Sequence, residues 1–385
     1  MNPLFARLPT TVFEAMSALA REHGAINLGQ GFPELDGPLD VREAAARAVL
    51  EGPNQYPPMP GLLELREAAA SHYQRFQGLV LDPGREVTVT SGATEALAAA
   101  LLSLITPGDE VVVFQPLYDA YLPLIERAGG VARLVRLDPP SFRITEEALE
   151  RVFSERTRLV VLNTPANPSA VVHDAAELAL LASYCERYDV VAVSDEVWEH
   201  VVFDGRAHQS LMAVPGMRER TVKIGSAGKM FSLTGWKVGL VCAAPHLTAV
   251  IAKAHQFLTF TTPPHLQRAV AYGLAKSDDY FAAMRTDLQR SRDRLAEGLR
   301  QAGFVTLPCA GTYFSNVDLR ASGIEVDDDT FCRRAVTEEK VAAIPLSAFY
   351  AENPDRHLVR LCFAKTDATL DAGIERLSRA RAHFR

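Results

Sequence analysis

Over residues 81–244 the chain alternates short β-branched runs with longer stretches of helical pattern, and this alternation restricts the fold more than any other feature. The runs fall at residues 86–90, 110–114, 159–162, 190–194, 222–225 and 238–242. They are largely apolar rather than alternating, so each is expected to be buried on both faces, as strands of a mostly parallel sheet are. Helices are expected between them, for example at 95–105 and 175–187, each following a polar cap. After Pro263 and Pro264 the character changes. One long Arg- and Asp-rich helical stretch is expected over 267–302, then short strands at 312–317, 341–344 and 358–363, and a last helix near 368–382. A chain of 385 residues is too long for one compact core. The pattern predicts an α/β fold: a large domain over 38–278, with a mostly parallel sheet flanked by helices, and a smaller α+β domain from 1–37 and 279–385.

Composition narrows the function. The net charge of −7 argues against a broad nucleic-acid or anionic-membrane surface. No apolar run approaches the ~20 residues that a membrane helix needs. Arg7, Glu14, Arg21 and Glu22 break up the first thirty residues, which therefore do not read as a signal peptide. Cysteines at 185, 242, 309, 332 and 362 are odd in number and lack a CxxC pair. That suits a reducing cytoplasm and opposes both a disulfide framework and a zinc site. The ten histidines form no HExxH pattern, so no metal is expected. Lysine occurs only at 223, 229, 237, 253, 276, 340 and 365. Chemistry that needs a primary amine must draw on this short set.

The polar motifs follow the apolar runs, where ligands of open α/β sheets bind. Ser91-Gly92-Ala93-Thr94-Glu95 opens a helix after a strand, a place where free N–H groups can cradle a phosphate; helix capping by Ser91 or Thr94 explains it equally. Asn163-Thr164-Pro165-Ala166-Asn167-Pro168 puts two amides on a stiff, non-helical loop, although Asn-Pro pairs also form ordinary turns. Asp195 and Glu196 end a buried strand, where an acid is costly without a positive partner. A protonated pyridine nitrogen would be one such partner, and a salt bridge or cap another. Lys229, in Ser226-Ala227-Gly228-Lys229, sits among small residues just past a strand. An amine there can be partly buried and lose its proton, with Lys237 as a cationic neighbour; a solvated loop lysine is the alternative. Arg360 interrupts the apolar run 358–363, and either forks onto a carboxylate or points to solvent.

Taken in order over residues 26–370, these segments resemble the fold-type I, class I/II pyridoxal-phosphate aminotransferases. The resemblance rests on the Asn163–Pro168 loop, on Ser194-Asp195-Glu196, and on Lys229-Met230-Phe231-Ser232-Leu233-Thr234-Gly235-Trp236-Lys237. Ile26-Asn27-Leu28-Gly29-Gln30-Gly31-Phe32-Pro33, Asn54-Gln55-Tyr56-Pro57 and His255-Gln256-Phe257 are similar to the kynurenine/methionine branch in particular.

That resemblance implies a homodimeric, cytoplasmic enzyme with pyridoxal 5′-phosphate held by Lys229 as a Schiff base. Lys229 would later shuttle the proton between Cα and C4′. Asp195 would pair with the pyridine N–H⁺, Asn167 would donate to the ring O3′, and Tyr118 would stack on the ring. Ala93, Thr94, Ser226 and Lys237 would hold the phosphate, joined by Tyr56 from a second subunit. Arg360, the Gly31 backbone and Asn167 would grip the substrate α-carboxylate. Phe32, Tyr118, Phe260 and Tyr313 would form aromatic walls, with Phe260 also crossing between subunits. These walls favour methionine, aromatic or glutamine-like donors, whose amino group would pass to a 2-oxo acid. Trp198 departs from the pattern, since the family usually has a tyrosine there that donates to O3′. A cysteine-S-conjugate β-lyase on the same scaffold is the alternative reading. A non-catalytic binding protein is opposed by the intact Lys, Asp and Arg set. A nicotinamide dehydrogenase is excluded because Gly29-Gln30-Gly31 does not continue as GxGxxG.

Overall fold

The computed structural model describes residues 1–384. Its largest sheet runs, edge to edge, Val87–Thr90, Gly239–Cys242, Thr221–Ser226, Val191–Asp195, Thr157–Asn163, Glu110–Gln115 and Val131–Arg136. Only Gly239–Cys242 runs opposite to the other six strands, so the sheet is mostly parallel as expected. The six apolar runs are all strands in it, shifted by a residue or two at their ends. Every residue of Glu110–Gln115 and of Thr221–Ser226 is buried, which is why these runs carry no polar alternation. The strand that the pattern missed, Val131–Arg136, lies at the sheet edge. Only Val135 in it is fully buried, and Arg133 and Arg136 break its apolar character.

A second, antiparallel sheet orders Ile344–Pro345, Leu358–Cys362, Phe314–Asp318 and Val305–Thr306. A further pair joins Ile26–Asn27 to Val341–Ala342. The strand expected over 341–344 is therefore two strands. Val341–Ala342 pairs with the N-terminal segment, and after Ala343 the chain joins the other sheet instead. The helix expected over 267–302 also divides, into Pro264–Leu274 and Asp278–Gln301. The first packs on Leu39–Glu51 and Leu63–Gln77, whereas the second packs on Asp367–Ala382. One straight helix cannot serve both surfaces. Asp278 and Asp279 in the first turn of the second helix favour a new start there.

Ala175–Arg187 begins at a capping box between Asp174 and Glu177. Gly92–Leu104 begins earlier than its apolar pattern suggested, because Gly92 takes φ +80° and turns the chain sharply out of the preceding strand. All five cysteines are unpaired. Among the described residues, no helix is long and apolar enough to cross a membrane.

Candidate active site

The carboxyl ends of the parallel strands lie along one edge of the large sheet, and the register brings them level. Asn163 pairs with Asp195, and Asp195 with Ile224. The antiparallel strand enters at this same edge through Gly239, opposite both Thr90 and Ser226. A cavity of about 210 Å³ opens there. Ala93, Thr94, Tyr118, Asn167, Asp195, Trp198, Ser226, Lys229 and Lys237 all line it.

Lys229 is carried on the single helical turn Ala227–Met230, directly after the strand Thr221–Ser226. Burial lowers its amine to about 8; Arg360 and Lys237 act in the same direction, and Asp195 opposes them. Its Nζ lies 4.6 Å from the centre of the Trp198 ring and donates to the Tyr313 hydroxyl at 3.0 Å. Lys223 is the other lysine near this strand end, and its state is opposite. Its Nζ is fully buried between Glu196, at 2.8 Å, and Glu199, at 2.6 Å. Those carboxylates outweigh the burial and keep it an ammonium, so it cannot act as an amine. Glu196, Glu199 and His208 lie close enough to ligate a metal, yet the Lys223 ammonium sits among them.

Asp195 is buried at the strand end, and burial raises its carboxyl to about 6. Oδ2 accepts from Tyr121 at 2.6 Å. No cationic side chain is hydrogen-bonded to Asp195 among the described residues, so the site has room for a positive partner. The two asparagines divide their work. Asn163 is a brace: Nδ2 donates to the Asp195 carbonyl at 2.9 Å, and Oδ1 accepts from the Asn167 backbone at 2.7 Å. Asn167 Oδ1 accepts from Arg360 at 2.7 Å, which leaves its Nδ2 to donate elsewhere.

Ser91 makes no side-chain cap at the helix Gly92–Leu104, and its own N–H donates to Glu95 Oε2 at 2.8 Å. The first N–H groups of the helix are thus left uncapped by Ser91 at the cavity wall. Lys237, itself at φ +53°, brings its side chain against Gly92. A Cβ on Gly92 would meet Lys237 Cε at 3.1 Å and Nζ at 3.5 Å, so glycine is what admits the ammonium to this helix end. A helix N-terminus beside an ammonium suits a phosphate.

Arg360 does not point to solvent. It is 1% exposed, with its guanidinium 3.9 Å from the Phe314 ring centre and 4.9 Å from that of Phe349. Nη2 donates to the Gly29 carbonyl at 3.1 Å, and Nε has no partner. Burial lowers it to about 10, which still leaves a cation at neutral pH, held by neutral acceptors with Nε unpartnered. A Cβ on Gly31 would press on Phe314 at 2.9 Å, with Arg360 Nη2 at 3.8 Å, so this segment lies directly over the guanidinium. Phe32 is exposed in a neighbouring groove that shares Thr234 with the cavity. Tyr56 and Phe260 lie outside the cavity of this chain. They are exposed and pack edge-to-face, with ring centroids 5.6 Å apart.

The donor set fits pyridoxal phosphate: an amine for the aldehyde, a buried carboxylate for the ring nitrogen, and an uncapped helix end with an ammonium for the phosphate. The family profile described as aminotransferase class I and II matches residues 23–377. This chain belongs to the class I and II aminotransferases. It is 45% identical to the methionine aminotransferase of Escherichia coli K12 over 381 residues, 98% of each chain. It is 36% identical over 392 residues to human kynurenine–oxoglutarate transaminase 1, covering 93% of each. A solved structure of an Escherichia coli methionine aminotransferase matches with a TM-score of 0.95 and 44% identity, covering 98% of this chain and 99% of that one. The N-succinyldiaminopimelate aminotransferase structure from Mycobacterium tuberculosis also matches at 0.95 and 44%, covering 99% and 100%. The aminotransferase has the fold-type I architecture, depends on pyridoxal phosphate, and moves amino groups between amino acids and 2-oxo acids.

The motifs did not reveal Tyr121, the partner of Asp195, or the link of Tyr313 to Lys229. The only local signal for Tyr121 was its position three residues after Tyr118. Tyr121 opens the helix Tyr121–Arg127, and its partner lies 74 residues away at the end of a strand.

Proposed function

We propose that this aminotransferase binds its cofactor through Lys229 and takes methionine, aromatic or glutamine-like amino acids as donors. One observation carries the reading. A single cavity holds an amine lowered to about 8, a buried carboxylate with no cation bonded to it, and a helix end without a side-chain cap.

In this reading Asp195, positioned by Tyr121, holds the ring nitrogen protonated, and Asn167 donates through Nδ2 to the ring oxygen. Tyr118 and Trp198 bound the ring, while Ala93, Thr94, Ser226 and Lys237 hold the phosphate. The bound cofactor supplies an electron sink for the charge left when the substrate Cα–H bond breaks. Lys229 would accept the Cα proton of the substrate and return it on the other side of the transfer. An amine near 8 suits both roles at neutral pH. Arg360 meets the α-carboxylate with guanidinium N–H groups not taken by Asn167 and Gly29, with Gly31 and Asn167 beside it. Phe32 and Tyr313, with the partner's Phe260, border the side-chain pocket without offering a second cation, which favours methionine or an aromatic donor over aspartate. The relatives compared above are transaminases, so the β-lyase alternative draws no support from them.

A homodimer completes the site. Tyr56, 83% exposed, and Phe260, 41% exposed, form an aromatic patch of the kind that marks an interface. The partner's Tyr56 would reach the phosphate, and the partner's Phe260 the pocket wall. The large sheet anchors a cofactor domain over 38–278, and residues 1–37 with 279–384 form the smaller one, the last residue of the expected range 279–385 lying outside the described residues. Five unpaired cysteines agree with a cytoplasmic setting.

Borohydride reduction of the cofactor-loaded enzyme followed by peptide mapping tests the assignment. The pyridoxyl group is expected on Lys229. A label on Lys223, Lys237 or Lys253 would overturn it.

A further inference from the structure

Tyr313 is 1% exposed, and its hydroxyl is engaged on both sides. It accepts from Lys229 Nζ at 3.0 Å and donates to the Gly31 carbonyl at 2.7 Å. A phenol has one proton. With that proton on Gly31, the hydroxyl can face Lys229 only as an acceptor. Burial pushes the phenol far above its ordinary range, so it keeps its proton at any working pH. One N–H of the Lys229 amine must therefore point at Tyr313, which leaves the lone pair to face elsewhere. Trp198 covers a second side of the amine, its ring centre 4.6 Å from Nζ and its ring edge-on to Tyr313 at 4.3 Å between centroids. Indole offers no acceptor atom, so it cannot replace the phenol oxygen.

The backbone around the phenol is fixed as well. Phe363 donates to the Tyr313 carbonyl at 3.0 Å, and Thr312 donates to Val201 at 2.9 Å. Phe314 N–H donates to the Thr312 hydroxyl at 3.1 Å. The ring therefore has little freedom to follow the lysine. It sets the lysine instead.

We propose that Tyr313 is a catalytic residue, whose hydroxyl, keyed to Gly31, aims the Lys229 lone pair into the cavity and ties the amine's reactivity to the N-terminal segment. This rests on the reading of Lys229 as the cofactor lysine. When the amine captures the cofactor aldehyde, a C–N bond forms and the aldehyde oxygen leaves as water with both amine protons. Only a neutral, correctly turned nitrogen can begin that step. The charged and titratable groups around Nζ are Asp195 from its strand end, Arg360 and Cys362 from Leu358–Cys362, Lys237 from the loop after the helical turn, and Tyr313. Among them Tyr313 contributes a neutral acceptor, which stabilises the ammonium more than the amine.

The test follows pyridoxal phosphate capture by the apoprotein of wild type and Tyr313→Phe, by absorbance, across the pH range around 8. Loss of the hydroxyl is expected to lower the plateau rate roughly tenfold, the worth of one well-placed hydrogen bond. At the same time the ascending limb is expected to move to lower pH. Site-specific 3-fluorotyrosine at 313, a weaker acceptor that keeps the ring and hydroxyl, is expected to fall between the two. An unchanged limb and plateau, with only the KM for the amino acid altered, would reduce Tyr313 to a wall and overturn the proposal. A lower plateau with the limb in place would mean general damage and also overturn it. Borohydride labelling of wild type at a lysine other than Lys229 would instead remove the reading beneath it, so the two failures are distinguishable.

Discussion

Tyr121 donates its hydroxyl to Oδ2 of Asp195 across 2.6 Å, and both residues are buried. The tyrosine and the Val197 N–H stabilise the carboxylate, yet burial outweighs them and raises Asp195 to about 6. The carboxylate is thus held in place but short of countercharge, as the proposed pairing with a cationic ring requires.

The consequence for stability has a definite sign. Native apoprotein retains a proton on Asp195 that the unfolded chain releases between about pH 4 and 6, so this residue costs stability as pH rises through that window. Asp195→Asn removes the cost. The variant apoprotein is expected to gain on wild type by up to about 3 kcal/mol at pH 7, and much less at pH 4. Urea melts of both apoproteins at the two pH values check this, and a gap independent of pH would refute it.

Arg360 carries its charge with Nε unpartnered and with Nη2 beside the Gly31 segment. Arg360→Lys keeps the charge and loses the fork, and is expected to weaken amino-acid binding by about 1.5–3 kcal/mol. Cofactor content should stay near normal. Loss of cofactor with unchanged substrate affinity would assign Arg360 another role.

Tyr56 and Phe260 pair with each other on the surface, away from this chain's cavity. A heterodimer of a Tyr56→Phe subunit with a Lys229→Ala subunit is expected to contain one native site and one site with both defects. Activity near half that of wild type, far above either homodimeric variant, is the expected outcome. A fully active monomer by light scattering would rule the shared site out.

Trp198 is packed edge-on against Tyr313 and Phe314, at 4.3 and 5.6 Å between centroids. That packing supports a role as a wall in the proposed site. Trp198→Phe is therefore expected to change KM for bulky donors while the pH midpoint of the bound cofactor's visible band holds. A rise of one unit or more, about 1.4 kcal/mol, would instead make the indole N–H a donor to the cofactor.

The central strands were legible because burial on both faces forces an apolar run, and that signal is local. The polar residues that follow those runs, from Gly92 to Lys237, were legible for the same reason: a parallel sheet delivers every strand end to one edge. Val131–Arg136 was not legible, since an edge strand keeps one side in water and its arginines hide the period. Nor could local pattern divide residues 341–344 between two sheets or break the helix over 267–302, because those choices depend on which surface each half meets. The same holds within the site. Local sequence marked Asp195 and Arg360 as costly groups needing partners, from the free energy of burying charge, and Lys229 by its setting among small residues. Which partners they found was decided by the order of strands in the sheets and the packing between them. That order brought Tyr121 to Asp195 across 74 residues, Arg360 to Asn167 across 193, and Gly31 to Tyr313 across 282. Hydrogen bonds are short and directional, so contacts at such separations exist only once the whole chain is folded.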